Sequence, residues 1–419
     1  MSVQIIKREG KKLTIEITLE LEGSLLEMEE SIQKSVNELG LIETEEALKQ
    51  FDTNGAPIVV GGVKQTSKGQ EKKKVQTPYG EVNLARHVYQ SSAGGQTHIP
   101  LERAGGLING HTTPRFAKMI SWKYSEMSSN RLIEDLGVNH GRWVSSKFVQ
   151  HTMSEIGSRL LAHEKEWSYS LPSDLGTIAL VSISRDGTTT PIKGQGYRET
   201  MNGTISLYDY LGNRVHTIYV AKAPEYGKSA FNAAFLAEIQ TIKALYPKAE
   251  YVGLADGAPD NWTFLEPITE IQLLDFYHAT EYLAKVSKVA FTDKSLASLW
   301  LEQSCHNLKH NKGAVKALIK EMKVFIKGAK KSAMPIIQAA ITYFTNQRKR
   351  MKYHKYSQSN YPIGSGVVEA ACKTITKQRL SNSGMRWNID TVDNILTCRA
   401  LTHTNGRWEQ AWNCLTMAA

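Results

Sequence analysis

The chain has 419 residues, an ordinary globular composition and room for two or three domains with buried cores. No apolar run approaches the roughly 20 residues of a membrane span and no signal-peptide pattern opens the sequence, so a cytoplasmic chain without a membrane partner is expected. The four cysteines (Cys305, Cys372, Cys398, Cys414) lack Cys-x-x-Cys spacing and read as reduced thiols, while the net charge of +10 points to a polyanion, most commonly nucleic acid.

Residues 1–112 predict an α+β region. Strands are expected over 3–6 and 13–19, then a helix over 25–39. The polar, basic stretch 65–74, containing Lys-Gly-Gln-Glu-Lys-Lys-Lys, reads as a loop or linker. Thr77-Pro-Tyr-Gly80 is a turn, 81–89 alternates as a strand does, and Gly94-Gly95 ends it. From 113 to 170 the period is helical. Pro114 suits a first helical position, with Phe116, Met119, Ile120 and Tyr124 on one face. Short helices over 128–138 and 145–157 flank the turn Asn139-His-Gly-Arg142. The pair reads equally as a DNA-binding helix-turn-helix or as an ordinary helical hairpin. In the first case Ser145, Ser146, Lys147, Gln150 and His151 would offer polar contacts.

Residues 171–290 change character. The apolar run 177–184 predicts a central strand ending in Arg185-Asp186-Gly187. A hairpin over 204–210 and 214–220 follows, around Leu211-Gly212-Asn213, then a helix over 229–245. A second buried strand, 251–255, ends in Asp256-Gly257. After a short helix, 261–265, a third strand spans 271–274, and Asp275-Phe-Tyr-His278 opens another helix. The order predicts a mixed α/β sheet, not a doubly wound parallel one.

Residues 291–360 read as helical throughout, and 301–360 hold thirteen Lys/Arg against only Glu302 and Glu321. Lys312, Lys316, Lys320, Lys323, Lys327 and Lys330 recur at spacings of three and four, opposite Val315, Leu318, Ile319, Met322, Phe325 and Ile326. A solvated face normally mixes acids with lysines; near-absence of acid favours contact with nucleic acid. Arg348-Lys349-Arg350 adds a second basic knot. In 361–419, Tyr361-Pro-Ile-Gly-Ser-Gly366 is a turn with Ser365 as N-cap, and Glu369 falls in the first helical turn. The helix runs to Leu380 and breaks at Ser381-Asn-Ser-Gly384; a last helical region covers 392–415. Arg379, Arg386 and Trp387 follow Glu369 and can face DNA, the guanidinium groups on phosphates and the indole on an unpaired base. For Trp387 a core role is the alternative.

Asp186 and Asp256 each follow a buried strand and precede glycine, and adjacent strand ends lie about 5 Å apart. With Glu369 contributed by a helix, three carboxylates would make a hard-oxygen site suited to Mg²⁺. Two such ions about 4 Å apart can activate water or a 3′-hydroxyl for in-line phosphodiester cleavage.

Three stretches carry a family resemblance. Leu254-Ala-Asp-Gly-Ala-Pro-Asp-Asn-Trp262, Asp275-Phe-Tyr-His-Ala-Thr-Glu281, and Pro362-Ile-Gly-Ser-Gly-Val-Val-Glu-Ala-Ala-Cys-Lys373, followed by Gln378-Arg-Leu and Gly384-Met-Arg-Trp387, resemble the DDE transposases of bacterial insertion sequences. The likeness is to the group with an Asp-x-x-His motif, akin to Mutator-like enzymes, and covers about residues 175–419. It implies an RNase H-like core interrupted by an all-helical insertion, 291–360. The 113 positions between Asp256 and Glu369 leave room for that insertion, against 70 between Asp186 and Asp256. It further implies Asp186, Asp256 and Glu369 as the metal-binding triad for Mg²⁺, with Mn²⁺ as substitute; Asp174 and Asp209 compete for the first position. Asp275 and His278 match the Asp-x-x-His pair, near the scissile phosphate. The alternative for His278 is a helix N-terminal residue bonded to Asp275. The activity implied is cleavage and strand transfer at terminal inverted repeats, on double-stranded end and target DNA, by a homodimer or larger nucleoid-associated assembly. A non-catalytic DNA-binding derivative and another RNase H-like nuclease are the alternatives; a glycosidase would leave the basic segment unexplained.

Overall fold

A β-hairpin and a long helix open the chain in the computed structural model, which describes residues 2–164 and 166–417. Strands β1 (Ser2–Glu9) and β2 (Lys12–Thr18) pair across Gly10, whose φ of +59° suits the tight turn. Helix α1 (Leu25–Lys49) begins in a capping box, with Ser24 and Glu27 satisfying each other's backbone N–H groups. It runs ten residues beyond the expected end at 39. Gly40, a stop signal in sequence, lies buried inside the helix, where an added Cβ would come within 2.4 Å of the Tyr79 ring. Close packing, not helix termination, accounts for that glycine.

Strands β3 (Ile58–Val60), β4 (Val63–Gln76), β5 (Glu81–Ser91) and β6 (Gly94–His98) form an antiparallel sheet in that order. The stretch 65–74, expected as a loop or linker, lies within β4. Lys68, Lys72 and Lys74 occupy exposed positions, so it lacks the apolar alternation that reveals a strand; Val75, fully buried opposite Val82, fixes the register. Gly94-Gly95, expected only to end a strand, begins β6. Next come α2 (Pro100–Ala104), α3 (Pro114–Glu126), α4 (Ser129–His140) and α5 (Ser146–Ala162). Ser128 and Ser145 accept from the amides of Arg131 and Phe148, and Gly141 takes a left-handed φ of +62° between α4 and α5. Helix α3 packs on both.

The second unit is built on a five-stranded sheet. Strands β7 (Leu180–Ile192), β8 (Gly196–Tyr208) and β9 (Arg214–Lys222) form an antiparallel meander. After α6 (Ser229–Leu245), β10 (Glu250–Ala255) joins parallel to β7; after α7 (Pro259–Leu265), β11 (Ile271–Leu274) joins parallel to β10. The order is β11-β10-β7-β8-β9, a mixed α/β sheet as expected. The expectation that the first strand stops at Asp186-Gly187 is corrected: β7 passes straight through to Ile192. Gly187 pairs with Met201 in mid-ribbon, and Thr190 and Thr200 share a hydroxyl hydrogen bond of 2.7 Å across the strands. Helix α6 covers the sheet so closely that a Cβ on Gly203 would stand 2.7 Å from the Phe235 ring.

Helix α8 (Phe276–Ala290) leads into α9 (Lys294–His310), α10 (Ala314–Gly328), α11 (Met334–Gln347) and α12 (Tyr353–Gln358), the expected all-helical segment. Leu318, Met322, Ile337 and Phe344 join one apolar core with Leu274 and Leu283. Then α13 (Gly366–Ala371) passes through a π-helical stretch (Cys372–Lys377) into α14 (Gln378–Leu380), and α15 (Ile389–His403) follows. The last helix, α16 (Arg407–Met417), separate from α15, groups from Trp408 onward with residues 1–169, where Lys118 pairs with Glu409. Residues 170–407 form the second unit. All four cysteines are free thiols. Among the described residues no helix is long and apolar enough to cross a membrane.

Candidate functional site

Three aspartates follow the paired segments of β7, β10 and β11. Glu250 to Gly253 of β10 stand opposite Leu180 to Ile183 of β7. The pairing ends there; Asp256 lies three residues beyond Gly253, as Asp186 lies three beyond Ile183. Ala255 stands opposite Leu274 of β11, so the next pair is Asp256 with Asp275, whose N–H donates to the Ala255 carbonyl at 2.8 Å. Neighbouring strands lie about 4.8 Å apart. Asp186 is therefore a mid-strand residue at the point where its parallel neighbour ends. The space beside it comes from the end of β10, not from a turn at Gly187.

The Asp256 loop is held from several directions. Asp256 Oδ1 accepts from the Ala258 amide and from Asn261 Nδ2, both at 3.0 Å. Asn261 in turn accepts from Arg185 Nε at 3.0 Å. Arg185 is buried; it also meets Asn232 at 2.7 Å and the Asp260 carboxylate at 2.7 Å, with its guanidinium over the Phe264 ring. Its burial holds the guanidinium pKa below the usual range, with Asp260 pulling the other way. From the helical segment, Tyr343 donates to the Asp256 carbonyl at 2.7 Å and Gln347 to the Gly257 carbonyl at 3.0 Å. Gly257 has φ +101°, and a Cβ there would meet Leu274 at 3.0 Å and the Tyr343 hydroxyl at 3.1 Å.

Glu369 sits in the first turn of α13, its side chain 47% exposed. Its Oε1 accepts from the Ser365 hydroxyl at 2.7 Å and lies 3.7 Å from His278 Nε2. Ser365 precedes α13 as expected, yet its hydroxyl caps no helix amide. It turns instead to Asp275 Oδ2, at 2.7 Å, and to Glu369. Asp275 is fully buried. Its side chain caps α8 by accepting from the His278 amide at 2.6 Å, so His278 is the helix N-terminal residue bonded to Asp275, and its imidazole lies beside Glu369. One turn beyond Glu369, the Cys372 thiol points at Asp186 Oδ2 across 3.5 Å. Burial, then the Asp186 charge, pushes that thiol far above its ordinary range.

Asp186 itself is raised above the ordinary carboxylate value of 3.8, first by burial and then by the charges of Asp256 and Glu369; the Gly187 amide and Cys372 oppose the rise. The three acids thus share one electrostatic neighbourhood, with no ion pair to Asp186 or Asp256 among the described residues. Ligand atoms of Asp275, His278 and Glu369 all come within 4.8 Å of one another; Asp186 and Asp256 belong to no such set of three among the described residues. Asp209 is ruled out as a competitor for the first position, because its oxygens bond the Leu211 and Asn213 amides of a hairpin turn.

The cationic candidates divide into presented and enclosed. Lys316, Lys320, Lys323 and Lys327 are exposed along α10, and Lys312 is exposed just before it. Glu321 lies off that stripe and accepts from the Trp300 indole at 2.9 Å. Lys147, Arg348 and Arg386 are also exposed. Arg379 is a correction: only 1% exposed, with its guanidinium over the Trp387 ring, it cannot meet DNA in this arrangement. Trp387 takes the structural alternative, its indole donating to the Leu380 carbonyl at 2.9 Å and its backbone bridging to Ile192. Arg350 lies over Trp262 and pairs with Glu266.

Sequence reasoning missed Arg185, Tyr343 and Gln347, and misjudged the partners of Ser365. A signal existed for Arg185, since a cation ending an apolar run must find partners when buried. None existed for Tyr343 and Gln347, which approach the Asp256 loop from 87 and 90 positions away. A scan against protein-family models gives no match, and neither does a search of curated proteins.

Proposed function

We propose that the chain is a DNA transposase that cleaves and joins phosphodiesters at the ends of a mobile element, using an RNase H-like core. One observation carries the reading: one turn after Glu369 the Cys372 thiol points at Asp186 Oδ2 across 3.5 Å, which brings the helix of Glu369 to the strand of Asp186. Three antiparallel strands extended by two parallel ones, with a helical segment between the second acid and the third, agree with that core.

The residues suit a divalent ion. Asp186 and Asp256 have no cationic partner among the described residues, and their mutual repulsion is what a cation relieves. The donors are oxygens, which favours Mg²⁺ with Mn²⁺ as substitute. Asp186, Asp256 and Glu369 would hold the ions, which supply an activated water or 3′-hydroxyl and neutralise charge at phosphorus. Asn261 and the Ala258 amide fix one oxygen of Asp256, which would leave the other to hold an ion. His278, 37% exposed beside Glu369, is placed to donate to a phosphate oxygen. The α10 lysines would track the DNA backbone, and the α4–α5 pair, with Lys147, would engage the element's ends. Pairing of two ends calls for a homodimer or larger assembly on DNA.

A nicking and strand-transfer assay on duplexes carrying the element's own inverted repeats, in Mg²⁺ or Mn²⁺, tests the proposal. The wild-type chain is expected to cut at the end sequence, and Asp256→Asn to bind but not cut. Binding without cutting by the wild-type chain would instead favour the non-catalytic reading, and end-independent cutting a general nuclease.

A further inference from the structure

Asp275 is fully buried with no cationic partner among the described residues, a setting that is costly for a carboxylate unless hydrogen bonds replace its water. They do. Oδ1 accepts from the His278 amide at 2.6 Å, and Oδ2 accepts both the amide and the hydroxyl of Ser365, the latter at 2.7 Å. With both oxygens occupied, Asp275 is a poor metal ligand despite lying close to His278 and Glu369. Its geometry is that of a brace. The segment it grips is locked elsewhere too. The Phe276 amide donates to the Ile363 carbonyl at 2.8 Å, and Gly364 lies so close to the Tyr277 ring that a Cβ would stand 2.7 Å away. Ser365 is itself 4% exposed. Its single hydroxyl proton is shared between Asp275 Oδ2 and Glu369 Oε1, each 2.7 Å away. No hydrogen bond to Glu369 Oε2 is found among the described residues.

We propose that Ser365 is a positioning residue: held by buried Asp275, it fixes one oxygen of Glu369 so that the other is presented to a divalent ion shared with Asp186 and Asp256. This rests on the metal-dependent reading above and gives the Asp of the Asp-x-x-His pair a role that is not coordination. Hydrogen bonds behind a ligating carboxylate typically contribute about 10–100-fold in metal affinity.

The test is Mn²⁺ binding to the full-length chain, followed by the EPR signal of free Mn²⁺, with melting of the metal-free chain as control. Ser365→Ala is expected to weaken Mn²⁺ binding by about 10–100-fold while the metal-free Tm stays near wild type. Asp256→Asn should abolish it. Unchanged affinity in Ser365→Ala alongside loss in Asp256→Asn would overturn the positioning role and leave the metal reading standing. Wild-type affinity in Asp256→Asn would overturn the metal reading itself. A loss in Ser365→Ala that only tracks a fall in metal-free Tm would also count against the proposal.

Discussion

Asp186 carries a charge that the fold does not offset. Its pKa lies above 3.8, so between that value and its folded pKa the native chain binds more protons than the unfolded one. Stability from this group is greatest below 3.8 and is lost as pH rises through the folded pKa. Asp186→Asn should therefore raise the Tm of the metal-free chain at pH 7, with the advantage shrinking as pH falls toward 3.8. Thermal melts over that range check it; a lower Tm at pH 7 would contradict the repulsion. Gly257 is constrained differently. Its positive φ and its closeness to Leu274 and Tyr343 leave no room for a methyl group, so Gly257→Ala should cost about 1–3 kcal/mol in urea unfolding. An undisturbed midpoint would show that the Asp256 loop has slack.

At the scale of elements, α10 is the clearest case of charge on one face. At about 100° per residue, Lys316, Lys320, Lys323 and Lys327 fall within an arc of about 60°. Their mutual repulsion weakens the isolated helix slightly, so replacing all four with Gln should leave stability within about 0.5 kcal/mol or raise it. If the stripe tracks a phosphate backbone, the same variant should lower the slope of log K against log salt by about 3 to 4 in duplex binding. An unchanged slope would remove α10 from the interface. Legibility differs by element for physical reasons. Helix α6 and strands β10 and β11 were plain in the sequence because each buries one apolar run. Strand β4 was hidden because Lys68, Lys72 and Lys74 face water, and the far half of β7 because Asp186-Gly187 imitates a turn. Arg379 misled because a basic residue near a catalytic acid suggests phosphate, whereas this one is stacked beneath an indole.

Over the whole molecule, Asp256 and Glu369 were legible as candidates because a strand end and a helix start are local features, whereas Asp186 was picked for a turn that β7 does not make. The way the acids meet was not legible. Asp186, Asp256 and Asp275 are brought to one end of the sheet only by the parallel pairing of β7, β10 and β11, and Glu369 is tied to Asp275 through Ser365. The helical segment, expected only as a basic surface, also supports the site, since Tyr343 and Gln347 of α11 bond the Asp256 loop. Tyr343→Phe should therefore weaken Mn²⁺ binding without touching any ligand, by up to about tenfold, in a direct titration. The most direct measurement of the central claim is an anomalous difference map from crystals of the chain soaked in Mn²⁺. The account predicts density bounded by carboxylate oxygens of Asp186, Asp256 and Glu369. Density confined to Asp275, His278 and Glu369, or none near Asp186, would contradict it.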